Sequence, residues 1–445
     1  MVNGFRQDLP LLIKDGHVID PNQGLNETTN LLISDGIISW SGTGTPPIEK
    51  GLNVISAKGM IVCPGFIDLH CHLREPGFED KETIATGTAA AAKGGFTTVC
   101  CMPNTEPPID QTSLVTWILT RAKKEGKAHV LPIACISRKR KGESLADMQA
   151  LSLSGAVAFS DDGSPVMDTR LMHAALEKSR ELNVVIMDHC EYLPLTKNSV
   201  INEGKIACRL EVKGIPDEAE EKMVARDIDL AELTGGKIHI CHVSTSHSVE
   251  LIRDAKKRGI KITAEVTPHH LALTEDAVLQ QDTYAKVNPP LRTEKDVEAL
   301  IKGINDGTID AIATDHAPHT IADKCGDLPS AAFGISGLET ALGVLLGLVH
   351  SGKINISTLI TKLTVEPAAI IGKHKGGSGS LKLGTAADIT IIDTQKEWVV
   401  DTAEFASKGK NTPWNGCLLK GKVMVTLVDG RIVYCEPNVN IHTKV

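Results

Sequence analysis

His70-Cys71-His72 closes an apolar run over residues 61–69, and alternation on a strand turns both imidazoles to one face. Other side chains able to ligate a metal also stand at the ends of apolar runs. His189 follows 184–188, His242 lies in 238–243, Asp315 follows 311–314, and Asp161-Asp162 follows 156–160. Four histidines with at least two carboxylates make the mixed nitrogen and oxygen set that suits zinc, enough for two ions. Alternation also removes candidates. Cys71, Cys190 and Cys241 each adjoin a ligand histidine and are expected to face helices as packing residues, and His239 is out of phase with His242. Asp68 shares the phase of His70 and His72 one step deeper. It is expected either to orient a ligand histidine or to make a structural hydrogen bond.

Such residues need a scaffold that brings distant strand ends to one rim. Eight apolar, β-rich runs (61–69, 96–102, 130–135, 156–160, 184–188, 238–243, 262–267 and 311–314) alternate with helical stretches. This pattern predicts an α/β fold, a (β/α)8 TIM-type barrel with its chemistry at the C-terminal ends of the strands. The helices are illustrated by 81–93, Ala-rich, with acidic residues before and in its first turn and Gly94-Gly95 as its stop. The flanks read differently. From 11 to 57, and again from Ala387, short strands are broken by Asp15-Gly16, Asp35-Gly36 and Asp429-Gly430. Neither flank has enough strands to stand alone, so 1–59 and 381–445 are expected to join into one small β-sandwich domain around a catalytic barrel of 60–380. Gly376-Gly377-Ser378-Gly379 lacks the lysine of a phosphate loop and reads as a linker leaving the barrel.

The bulk numbers narrow the function classes. The chain has 445 residues, 42% hydrophobic, 23% charged and only 3% aromatic, so its core is aliphatic and large. A net charge of −8 with no basic stripe argues against a nucleic-acid partner. No apolar run nears the roughly 20 residues of a membrane helix. Eleven cysteines spread through a chain with no signal peptide are expected to be reduced thiols in a cytoplasm.

Several segments together resemble the cyclic amidohydrolases, and among them the type I dihydroorotase family. These are 68–77 (DLHCHLREPG), 94–98 (GGFTT), 102–105 (MPNT), 159–163 (FSDDG), 189–191 (HCE), 241–245 (CHVST), 265–270 (EVTPHH), 288–292 (NPPLR), 314–319 (TDHAPH) and Phe333-Gly334. The resemblance implies a zinc-dependent enzyme that interconverts N-carbamoyl-L-aspartate and L-dihydroorotate in pyrimidine (UMP) synthesis. It also implies a homodimer and, as a possible partner, aspartate carbamoyltransferase. By motif, His70, His72 and Asp315 would hold one zinc and His189 and His242 the other, with Asp162 between them; the residues alone do not separate Asp162 from Asp161. Arg74, Asn104 and His319 would grip the substrate carboxylate, and Asn288 with the backbone of Phe333 and Gly334 would meet the ring amides. The chemistry then needs a metal-activated hydroxide, with Asp315 taking its proton and passing it to the leaving nitrogen. Cys101, where the family often has proline, and Tyr192, where an acidic residue is common, depart from the pattern without touching a ligand.

Hydantoinases, dihydropyrimidinases and allantoinases resemble the chain in the same motifs, but their bridge is a carboxylated lysine. Residues 155–163 contain no lysine. A catalytically dead assembly partner would be expected to lack ligands, and none is missing.

Overall fold

The computed structural model describes residues 9–48, 50–372 and 379–444, so most of the glycine-rich linker at 376–379 lies outside the described residues. Eight parallel strands form the predicted barrel: β1 (Phe66–Cys71), β2 (Phe96–Cys101), β3 (His129–Ala134), β4 (Ala158–Phe159), β5 (Val185–Asp188), β6 (Lys237–Ile240), β7 (Ile262–Val266) and β8 (Ala311–Ile312). Each pairs with the next in chain order. The ring closes through a parallel bridge of Cys71 with His316 and the bond from the His72 N–H to the His316 carbonyl, 2.8 Å. Closure thus falls at the ends that carry the ligands.

The strands are apolar on both sides, as parallel strands between two layers must be. Ile67, Leu69, Leu131, Ile133, Val185 and Met187 fill the interior, where Ala368 and Ile371 of the helix Val365–Ile371 join them. Phe66, Phe96, Phe159 and Ile186 face the helices. The helix Ile84–Lys93 starts later than the sequence suggested. Thr83 is its N-cap and its first turn holds no acidic residue, because Glu82 lies outside and points its carboxylate at Thr86, His316 and Ser407 instead.

The run 61–69 is two strands rather than one. Ile61–Pro64 belongs to the small domain, antiparallel to Ile389–Val399 and parallel to Leu11–Asp20, and the barrel strand begins at Phe66. Gly65 makes the hand-over because a Cβ there would lie 2.1 Å from Thr97 Oγ1. Four further N-terminal strands and four C-terminal ones complete a nine-stranded sheet over a shared core of Ile13, Val18, Ile33, Ile55, Val62, Ile389, Val425 and Leu427. Asp35-Gly36 and Asp429-Gly430 adopt the positive φ angles of tight hairpin turns. Asp15-Gly16 does not turn the chain; it is a bulge inside Leu11–Asp20.

Candidate functional site

The six predicted ligands converge at the C-terminal rim, each 7% exposed or less. Two trios can be drawn whose donor atoms lie within 4.8 Å of one another, His70 with His72 and Asp162, and Asp162 with His189 and His242. Asp162 belongs to both. Its carboxylate lies 3.4 Å from His70 Nε2, 3.7 Å from His72 Nε2 and 3.7 Å from His189 Nδ1. Asp315 Oδ1 stands 3.1 Å from His72 Nε2 and 3.5 Å from His70 Nε2. The two neighbouring aspartates point in different directions. Asp161 turns away and accepts hydrogen bonds from the Ile136 and Ser137 amides, 2.9 and 3.1 Å, and from the Ser137 hydroxyl.

Three of the histidines have one ring nitrogen engaged from behind. His70 Nδ1 meets Glu265 Oε1 at 2.9 Å, His72 Nδ1 meets Asn104 Oδ1 at 2.9 Å, and His189 Nε2 meets Glu191 Oε2 at 2.9 Å. An acceptor on one nitrogen makes it the N–H and turns the lone pair of the other toward Asp162. His189 Nδ1 and His242 Nε2 accordingly face each other at 3.0 Å, and His70 Nε2 is buried with no hydrogen-bond partner. Leaving a buried polar atom unsatisfied costs about 1–3 kcal/mol, and a divalent cation among these atoms removes that cost. Burial works against charge on Asp162, but His70 and the rings around it outweigh burial and hold the carboxyl well below its usual range. The residues therefore fit a metal centre of four imidazole nitrogens and two carboxylates.

The four predicted histidines do meet at one rim, but strand parity put them there for a partly wrong reason. Asp68 pairs with Val99 and Cys71 with Cys101, so β1 carries one extra residue between them, and this bulge inverts its phase. Below it Ile67 and Leu69 face inward; above it His70 and His72 do, while Cys71 faces the helices as expected. Asp68 consequently reaches no ligand ring. It accepts from the Thr314 N–H at 2.8 Å and hydroxyl at 2.5 Å, fixing the backbone beside Asp315. β6 ends at Ile240, and a φ of +33° at His242 swings that side chain into the site. Cys241, expected among the helices, therefore lies inside the barrel with His70 and Glu265. Burial and then Glu265 push its thiol well above the usual range. His239 is also inside, both nitrogens engaged by Thr263 and Glu265. Cys190 packs outward near Asp188 and Asp227.

Glu265 is the largest omission from the sequence reading, although a carboxylate in the apolar stretch 262–267 was its visible signal. It is fully buried between His70 and His239. Burial opposes its ionisation, yet the two imidazoles hold its pKa down at about 2. A carboxyl lowered in the folded state adds stability that is full above the ordinary pKa near 4.5 and fades as pH falls toward about 2. In metal-free protein, denaturant titrations at pH 7 and pH 3.5 should show a loss on acidification that shrinks in Glu265→Gln; an equal loss in both proteins would contradict this role.

Arg74 stands at the open side of the ligands with φ of +59°. Its Nε donates to the Pro318 carbonyl at 3.3 Å, and its Nη2 lies 3.3 Å from His319 Nε2. A cleft of about 440 Å³ opens between Arg74 and Asn104, with Lys81, Lys139, Arg140 and one acid, Glu106, in its wall, so basic groups outnumber acidic ones there. Asn104 is turned to the ligands, bonded to His72 and, through its amide nitrogen, to Asp162 Oδ2 at 3.0 Å. Asn288 donates to Glu191 Oε2 at 2.8 Å, beside His189. His319 Nε2 meets the Phe333 carbonyl at 2.9 Å. Both polar groups of Gly334 are engaged within the protein, its N–H by Lys286 and its carbonyl by Lys324 and Asn411.

Residues 59–248 match the model of the "Dihydro-orotase-like" family. A protein of Syntrophus aciditrophicus named dihydroorotase is 49% identical over 428 residues, covering 96% of this chain and 100% of its own. One of Pelotomaculum thermopropionicum with the same name is 51% identical over 426 residues, covering 96% and 98%. Among solved structures, an L-hydantoinase (dihydropyrimidinase) from Arthrobacter aurescens superposes with a TM-score of 0.87 at 24% identity over 97% of each chain. A dihydropyrimidinase from Brevibacillus agri gives 0.83 at 21% identity, covering 98% of this chain and 97% of that one. The solved structures share the barrel with its appended β domain, and the sequence relatives carry the closer kinship: this chain belongs to the dihydroorotase family.

Proposed function

We propose that the chain is a zinc-dependent dihydroorotase that reversibly cyclises N-carbamoyl-L-aspartate to L-dihydroorotate in pyrimidine synthesis. One observation carries the reading against the hydantoinase alternative. Asp162, a carboxylate of the chain itself, is shared by the two trios where those relatives would need a modified lysine. His70, His72 and Asp315 would hold one zinc, His189 and His242 the other, and Asp162 would bridge them. When bound, such a pair lowers the pKa of a water toward about 7 and polarises the carbonyl under attack.

The remaining work falls to side chains. Arg74, with Asn104 and His319, would grip the substrate carboxylate at the mouth of the site, the guanidinium supplying a planar fork for it. His319 is held neutral, its pKa lowered to about 3 by burial and then by Arg74, so of this pair the arginine carries the positive charge. Asp315 accepts the proton of the attacking water and returns it to the ring nitrogen as the C–N bond breaks; ring closure runs the same transfers backward. Asn104 and Glu191 hold His72 and His189 in the tautomers that ligation needs. Asn288, with the backbone of Phe333 and Gly334, would meet the ring amides. For Gly334, the reading requires one of its internal bonds to open on binding.

Losing a charge-assisted grip costs about 1.5–3 kcal/mol, so Arg74→Ala should raise KM for L-dihydroorotate by roughly 10- to 150-fold and change kcat little. An unchanged KM would count against the grip. The metal assignment is checked by stripping the protein with a chelator and titrating zinc back while following ring closure. Activity should rise until two equivalents are bound; full activity in the stripped protein would overturn it.

No helix among the described residues is long and apolar enough to cross a membrane. All eleven cysteines are free thiols, which supports the proposed cytoplasmic location. The proposal includes a homodimer and an association with aspartate carbamoyltransferase, both measurable by sedimentation of the protein alone and mixed with that enzyme.

A further inference from the structure

We propose that Asn411 is a positioning residue for the substrate carboxylate, a clasp through which the chain outside the barrel sets the shape of the pocket mouth. The inference rests on the reading of Arg74 and His319 as the carboxylate grip. Asn411 lies in the connection between the small-domain strands Ile389–Val399 and Leu418–Val428, a stretch the sequence divided off from the barrel. It is nonetheless 2% exposed. Its amide nitrogen donates to the Ala317 carbonyl and the Gly334 carbonyl, each at 3.0 Å. Its Oδ1 accepts from the His319 N–H at 2.9 Å and from Ser336 Oγ at 2.8 Å. Two N–H donors and two lone pairs are the full capacity of a primary amide, and all are used. An aspartate of the same shape would lose both donors, and an apolar residue would lose everything.

What those bonds hold is the pocket itself. Ala317 and His319 flank Pro318, whose carbonyl receives Arg74 Nε. Gly334 follows Phe333, whose carbonyl meets the His319 ring. One side chain thus ties the loop after β8, which carries His319 and the acceptor of Arg74, to the segment 333–336 facing it. Around it, the connection itself is fastened to the barrel. The Ser407 amide donates to Glu339 at 3.1 Å, and the Lys408 amide donates to Glu82 at 3.2 Å. Gly409 lets the connection come this close, since a Cβ on it would lie 2.4 Å from Pro318 Cβ and 2.5 Å from Ser336 Oγ. None of these hydrogen bonds is made to a proposed metal ligand, so the clasp should govern binding and leave the chemical step alone.

The test compares two variants of the full-length, zinc-loaded protein, Asn411→Ala, which opens the clasp, and Gly409→Ala, which wedges it. Steady-state kinetics with L-dihydroorotate should show KM raised at least tenfold and kcat within threefold of the unaltered protein, with bound zinc unchanged. Inhibition by 5,6-dihydrouracil, the same ring without the carboxylate, should change less than threefold, a selectivity that general loosening of the fold would not produce. If Asn411→Ala does not fold, Gly409→Ala decides by the same thresholds. An unchanged KM, a fall confined to kcat, or equal weakening toward both ring compounds overturns the clasp. Absence of dihydroorotate turnover in the unaltered protein would instead overturn the substrate reading beneath it.

Discussion

Asp315→Ala is expected to lower turnover of L-dihydroorotate at saturating zinc by at least about 10³-fold, within the 10²–10⁴ that a positioned proton carrier contributes. The geometry separates its two duties. Asp315 lies outside both tight trios, so its removal leaves each trio with its three members. Zinc should therefore still bind, more weakly on the His70 and His72 side, and the loss of rate should exceed what lost metal explains. Asp315→Asn keeps the shape and a ligand oxygen but cannot take a proton, and its rate should fall nearly as far. Near-normal turnover in either variant, measured with zinc content in the same sample, would refute the proton-carrier role.

Asp162→Ala should be the more damaging change to the metal centre. The carboxylate is the one member common to the two trios, and it is flanked by four buried imidazoles. In the proposed centre, removing it would take an anionic ligand from both ions and leave their charges closer to uncompensated. Even partners that merely orient ligands are worth roughly 10- to 100-fold in affinity, so a shared ligand should be worth more. Elemental analysis after dialysis should find fewer than one zinc per chain, against two in the unaltered protein, with no measurable turnover. Retention of both ions would show that Asp162 does not bridge them.

Much of this site was legible because strand ends in a barrel are readable from apolar runs, and His70, His72, His189, His242 and Asp315 all stand at such ends. The fold class followed from the same eight runs. What escaped was local. A one-residue bulge before His70 inverts the phase of β1, and a left-handed turn at His242 detaches that residue from the alternation of β6. Parity therefore misplaced Asp68, Cys241 and His239, while the six candidate ligands still converge. Gly65 hid a domain crossing inside one unbroken apolar run. Glu265 and Asn411 were missed for another reason: their partners are distant in the chain, and a buried polar residue declares its purpose only when the groups around it are known.

The most direct test of the whole account is the specificity constant for L-dihydroorotate set beside that for hydantoin on the same zinc-loaded preparation. A carboxylate grip at Arg74 and an Asp162 bridge predict that kcat/KM for L-dihydroorotate exceeds that for hydantoin by at least about 10³-fold, the scale on which a site built for a charged group rejects an analogue lacking it. A kcat/KM for hydantoin equal to or above that for L-dihydroorotate would contradict it.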